Sequence, residues 1–279
     1  MAFSSVSSKV SFSVSTSVSF LPVSVADESM TSSFRTFSTG FCFGVSPQET
    51  KKNSTIIAVN VNAFGNMDFT RFSQLAPKIK NLPLPGRASH YKMAPELRIQ
   101  TLEKGLEPGK NPKKAGVMAL FYPDETNRTH LLFILRKTYR GVHSNQIGFP
   151  GGKQEAEDSS LLDTALRETE EEVGAERQRI TVIRSMSDLY IPPSNFEVRP
   201  FIGLYSKEQP FVPQRSEVEA LVEVPFSDVL DDRRLTSRTM KTSYAKEIIV
   251  PAFELRGYIV WGATAMMLSE IKELFKRVI

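Results

Sequence analysis

The sequence predicts an α/β fold in which a mixed β-sheet is sandwiched between α-helices. Strand-length apolar runs at 115–122 and 130–136 alternate unevenly with amphipathic stretches. A glycine pair, Gly151-Gly152, leads into helical spacing from about 159 to 173. The chain closes on a second amphipathic helix, about 262–276, whose Met266, Met267, Ile271, Leu274 and Phe275 share one face. Sheet elements with helices able to cover both faces give the layered class.

In chain order, the first 66 residues differ from the rest. They hold 16 serines, and the first acidic residue is Asp27. A serine-rich, acid-poor start is that of an organellar transit peptide. Met67-Asp68-Phe69 also reads as a translation start, followed by the amphipathic Phe72, Leu75 and Ile79. The expected division is therefore a leader, 1–66, outside the fold, and one folded domain, 67–279. A real leader sends the protein to a plastid or mitochondrion; a start at Met67 leaves it cytoplasmic. Pro/Gly punctuation at 82–86 and 107–112 brackets a short helix near 96–104. The strands at 115–122 and 130–136 read as a hairpin-like pair. Further strands are expected at 179–186, 196–204 and 217–224, a helical turn at 225–230, and a hairpin from 248–253 with 258–260.

Composition narrows the function. At 279 residues with 41% hydrophobic and 24% charged side chains, the chain is of ordinary globular make-up. No apolar run reaches the ~18 residues of a membrane span. A net charge of +4 suits a small polyanionic substrate but is too small and too dispersed for nucleic acid. One cysteine, Cys42, and three histidines, with no HExxH or CxxC, leave no zinc-hydrolase pattern. A homodimer is left open.

The chemistry concentrates in Arg167-Glu168-Thr169-Glu170-Glu171-Glu172. Residues three and four apart on a helix are neighbours, so Glu168 sits beside Glu171 and Glu172, and such like charges cost stability unless a cation offsets them. Mg²⁺ and its relatives take one or two carboxylates plus substrate phosphates. A solvated acidic face is the plain alternative. Three details favour a built site. The opposite face (Leu161, Leu162, Ala165, Leu166, Thr169, Val173) is apolar. Asp158 and Ser159 are placed to cap the helix start, and Gly174 its end. Arg167 precedes Glu171 by four positions, an ion pair that orients the carboxylate.

Gly152, Asp158, Arg167-Glu168, Glu171-Glu172 and Gly174 resemble the Nudix box, GX5EX7REUXEEXGU. Asp158 stands where Glu is usual, and the interval to Arg167 is one residue longer. Thr169 and Ala175 replace bulkier aliphatics. That longer spacing, with Leu131-Leu132-Phe133-Ile134-Leu135-Arg136, His143, Gln146 and Phe149-Pro150-Gly151-Gly152 upstream, is similar to the coenzyme A pyrophosphatase branch. Lys137 and Asn145 depart from that branch's signature. The Val260-Trp261-Gly262-Ala263-Thr264 junction also matches it.

The resemblance implies a Nudix fold, a Mg²⁺ or Mn²⁺ cofactor and a small-molecule nucleotide substrate. It implies hydrolysis of a nucleoside diphosphate linked to a group X, for this branch coenzyme A or acyl-coenzyme A. Glu168 and Glu172 are expected to hold the metal. Glu171 adds a ligand or receives the water proton, and Arg167 and Glu168 complete the catalytic set. Arg136, His143, Gly151, Gly152, Ser194 and Glu217 are the candidate substrate-binding residues, with Glu217 also placed to complete the metal shell or act as base. ADP-ribose or a dinucleotide is the alternative substrate. A non-catalytic nucleotide-binding regulator is the alternative class, and the three retained glutamates speak against it.

Overall fold

The computed structural model describes residues 67–96, 98–99, 111–138, 145–206, 208–240 and 247–279. The leader, Arg140, His143 and most of the helix expected at 96–104 lie outside them. Arg98 and Ile99 still donate their N–H groups to Pro95 O. No helix among the described residues is long and apolar enough to cross a membrane.

A mixed sheet forms the centre. β1 (Lys113–Pro123) pairs antiparallel with β2 (Thr129–Arg136) and parallel with β7 (Phe196–Tyr205). Around them lie β3 (Ile147–Gly148) on β2, β4 (Gly151–Lys153) on β1, β5 (Ile180–Ser185) and β6 (Leu189–Ile191) on β7, and β8 (Val218–Pro225) on β2. A separate antiparallel sheet holds β9 (Leu235–Met240), β10 (Ile248–Leu255) and β11 (Tyr258–Trp261).

Alternation along β1 sends side chains to two cores. Met118, Leu120 and Tyr122 pack with Ala165 and Val173 of helix α3 (Leu161–Val173). Ala119 and Phe121 face α1 (Phe69–Leu75), α4 (Phe226–Leu230) and the terminal α5 (Gly262–Phe275). There Phe72, Phe121, Phe226 and Phe275 interlock, with ring centroids 4.8–5.4 Å apart. Met67 O accepts from Thr129 N–H (3.0 Å) and Phe69 N–H donates to Asn127 O (2.7 Å), so Met67 and Phe69 are tied to the turn between β1 and β2.

The start of α3 corrects one expectation. Ser160, not Asp158 or Ser159, is its N-cap, with Oγ accepting from Asp163 N–H at 3.2 Å. The Asp163 carboxylate reaches back to Ser159 N–H (3.1 Å), in the manner of a capping box. Asp158 is freed for another task. Gly174 ends the helix as expected, left-handed at φ 71° with its N–H on Glu170 O. Sequence reading missed β9 and the short α2 (Arg87–Lys92).

Gly116 fixes how closely α3 lies on β1. A Cβ there would stand 2.1 Å from Leu161 O and 3.1 Å from Ala165 N, both backbone atoms that cannot turn aside. Gly116→Ala is therefore expected to lower unfolding stability by at least the roughly 1–3 kcal/mol of overpacking. Thermal melting checks this, and an unchanged midpoint would refute the close approach.

Candidate active site

The glycine pair and the acidic face of α3 meet. Glu172, only 2% exposed, takes Gly151 N–H on Oε2 at 2.8 Å, while Arg136 Nη2 stands 3.6 Å from its Oε1. Arg136 Nη2 also donates to Gly151 O at 3.2 Å. Burial pushes the Glu172 carboxyl up to about 7, with Glu168 and Glu217 adding to the rise and Arg136 and the Gly151 amide opposing it. Burial likewise raises Glu168, against the pull of Arg167 and with Glu171 and Glu217 pushing the same way. Glu217, in the bend before β8, is thus within electrostatic reach of both glutamates.

Arg167 organises the outer side of this group. Its Nε and Nη2 each lie 2.9 Å from a different oxygen of Asp158, and its Nη1 lies 3.1 Å from both Glu168 Oε1 and Glu171 Oε2. Asp158 also accepts from Thr164 Oγ1 and Glu155 N–H at 2.9 Å each. The Arg167 fork, with those donors, holds its carboxyl well below the usual carboxylate range. The shorter Asp, with the longer interval after it, thus reaches the arginine that orients Glu168 and Glu171. Glu171 is the most open of the three glutamates at 49% exposed.

Two loops complete the surroundings. The segment between β7 and β8 binds the free carbonyls at the end of α3. Val212 N–H donates to Val173 O (3.0 Å) and Gln214 N–H to Glu172 O (2.9 Å). Gln214 O then accepts from the N–H groups of Glu217 (3.1 Å) and Val218 (2.9 Å), and Lys137 N–H holds Glu217 O (2.9 Å). Phe211 anchors the segment against Tyr122 and Tyr205. Phe211 and Gln214 escaped sequence reading because Gln214 acts through its backbone. Ser194 sits in a turn before β7, its hydroxyl donating to Ile191 O (3.4 Å). Trp261 is half-buried at the start of α5.

Gly152 lies directly over Glu168. A Cβ on it would come within 2.4 Å of Glu168 Cδ and Oε1. The obstructed atoms end a flexible side chain, so Gly152→Ala is expected to spare the fold and displace the carboxylate. Misplacing a reacting group by about 1 Å costs on the order of 10²-fold in rate. A kinetic assay beside a melting curve checks this, with activity expected to fall and the midpoint to hold.

Among the described residues no three carboxylate, histidine or cysteine side chains already form a group that could hold a metal ion. The donor set nonetheless fits a hard divalent cation. It is all oxygen, and its two inner carboxyls are pushed up by burial and by neighbouring carboxylates, a cost that a cation would offset.

A helix-borne carboxylate cluster under a glycine loop, on a mixed sheet covered by helices, defines a site class suited to a hard cation and a phosphate group. A family model described as "NUDIX domain" matches residues 112–244. The chain is 32% identical over 146 residues to the uncharacterized Nudix hydrolase NudL of Yersinia pestis (strain Pestoides F), covering 51% of this chain and 71% of that one. The same figures hold for NudL of Yersinia pseudotuberculosis serotype O:1b. Among solved structures it is similar to the Nudix hydrolase RenU from M. smegmatis, at 14% identity over 60% of this chain and 88% of that one, TM-score 0.42. This chain belongs to the Nudix hydrolase family. It is a pyrophosphohydrolase with the mixed sheet, helices and C-terminal helix of that fold. Divalent metal dependence is general to the family.

Proposed function

We propose that this chain hydrolyses the pyrophosphate of coenzyme A or acyl-coenzyme A, giving 3′,5′-ADP and (acyl-)4′-phosphopantetheine. The observation that supports pyrophosphate chemistry most directly is the pairing of Glu172 with Gly151 N–H and of Glu168 with the underside of Gly152. It sets two carboxylates beside a backbone that phosphates can approach closely. The coenzyme A preference is supported by the resemblance of the Phe149-Pro150-Gly151-Gly152 approach and of the lengthened interval from Asp158 to Arg167.

In this reading Glu168 and Glu172 would hold Mg²⁺ or Mn²⁺, with Glu171 able to join them. When bound, such a cation would supply neutralisation of pyrophosphate charge and a more acidic water. The water oxygen attacks one phosphorus, the bridging P–O bond breaks, and the water proton passes to a carboxylate of the cluster, Glu171 or Glu217. Arg167 keeps Glu168 and Glu171 aimed while that proton moves. The coenzyme A resemblance alone would give Arg136 a phosphate to grip; in this structure its guanidinium meets Gly151 O and Glu172 Oε1.

The test is a parallel assay of the full chain with coenzyme A, acyl-coenzyme A, ADP-ribose and NADH, with Mg²⁺ or Mn²⁺ and with EDTA. Coenzyme A or its acyl form is expected to be the best substrate by kcat/KM, with no turnover in EDTA. Faster hydrolysis of ADP-ribose or NADH overturns the substrate. No hydrolysis of any of the four, despite metal binding, favours the nucleotide-binding regulator.

A further inference from the structure

We propose that Arg136 is a positioning residue for Glu172 and not a ligand of substrate phosphate; this rests on reading Glu172 as a metal-holding group. Three contacts close a ring. Gly151 N–H donates to Glu172 Oε2 (2.8 Å), Arg136 Nη2 donates to Gly151 O (3.2 Å), and the same nitrogen stands 3.6 Å from Glu172 Oε1. One backbone N–H and one guanidinium, joined through Gly151, thus hold both ends of a single carboxylate. The guanidinium is turned inward by the backbone. The pairing of β2 with β8 slips between Leu135 and Arg136, a bulge of the kind that re-aims a side chain beside an active site, and Arg136 N–H is pinned to Gln146 O at 3.0 Å.

The energetics favour the same role. Glu172 is almost fully buried, and a buried carboxylate without a cation beside it is strongly disfavoured. Arg136 supplies that cation from a position one-third exposed, where its own desolvation is modest. A phosphate drawing Arg136 outward would break the bond to Gly151 O and leave Glu172 held by one amide. Groups that hydrogen-bond around a ligating side chain set its orientation, and losing them costs about 10–100-fold in metal affinity or activity.

The experiment compares wild type, Arg136→Met and Arg136→Lys in three measurements. Amide exchange of Gly151 without metal is expected to quicken in the Met variant. The Kd for Mn²⁺ alone, read from the free-ion resonance signal, is expected to rise about 10–100-fold. With saturating Mn²⁺, kcat falls while KM for coenzyme A stays close to wild type. The Lys variant, which keeps the charge but not the fork, falls between the two. Unchanged Gly151 exchange and Mn²⁺ affinity with a raised KM overturn the proposal and return Arg136 to the phosphate. If wild type hydrolyses no pyrophosphate, the hydrolase reading fails, while the exchange and Mn²⁺ measurements still decide the role of Arg136.

Discussion

Glu172→Gln is expected to lower metal-dependent turnover by roughly 10³-fold, since a bound cation contributes several kcal/mol of charge stabilisation and each 1.36 kcal/mol is tenfold in rate. Glutamine matches the shape and still accepts from Gly151 N–H, so the fold has no reason to fail. The metal-free protein gives a second, independent sign. Burial raises the Glu172 carboxyl from 4.5 to about 7. Its contribution to stability is therefore full below 4.5 and is lost as pH rises through about 7. In EDTA the wild-type melting midpoint should drift down across that window, whereas Glu172→Gln should lack this part of the drift. At alkaline pH the variant should melt no lower than wild type. Kinetic assays and melting curves check both halves. Turnover within a few-fold of wild type would refute the role of the carboxylate, and identical pH drift would refute its burial cost.

Sequence reading reached the parts of this protein that local pattern encodes. The apolar runs of β1, β2, β5, β7 and β8, the periodicity of α3 and α5, and the crowding of Glu168, Glu171 and Glu172 are all written within a few residues of each other. What stayed hidden depends on distant partners. β9, Leu-Thr-Ser-Arg-Thr-Met, is exposed and polar with no clean alternation, and its register with β10 defines it as a strand. β3, β4 and β6 are two or three residues long and exist only as rungs on longer neighbours. α2 has six residues, starts from a Gly86 at positive φ, and is held by Ser89 and His90 turned inward. Asp158 was legible as an acidic group before a helix, but capping and gripping Arg167 ask for the same residue type at nearly the same place. The Nudix resemblance located the carboxylates; their order of burial, Glu172 innermost and Glu171 outermost, came only from three dimensions.

Glu270→Ala is expected to destabilise the fold by about 3–5 kcal/mol, the scale of breaking a buried ionic group away from its partners. Glu270 is fully buried on α5 and gathers donors from two distant segments. Gly86 N–H reaches it at 2.9 Å and His90 Nε2 at 3.3 Å, both at the start of the domain. Ser187 gives both its Oγ (2.6 Å) and its N–H (3.2 Å) from the turn between β5 and β6. One turn along α5, Glu273 takes Ser89 Oγ at 2.7 Å and pairs with Lys92 at 2.5 Å, so the same helix holds α2 twice. Burial by itself would raise the Glu270 carboxyl, but His90, Ser187 and Gly86 together bring it below its ordinary 4.5. A depressed carboxyl stabilises the fold above 4.5 and ceases to as pH falls through its folded value. Urea unfolding at neutral pH should therefore show the full deficit of the alanine variant, and the gap to wild type should narrow as the solution is taken below 4.5. A gap that stays constant into acid would mean the deficit comes from lost packing, and not from the charge that ties the two ends of the domain together.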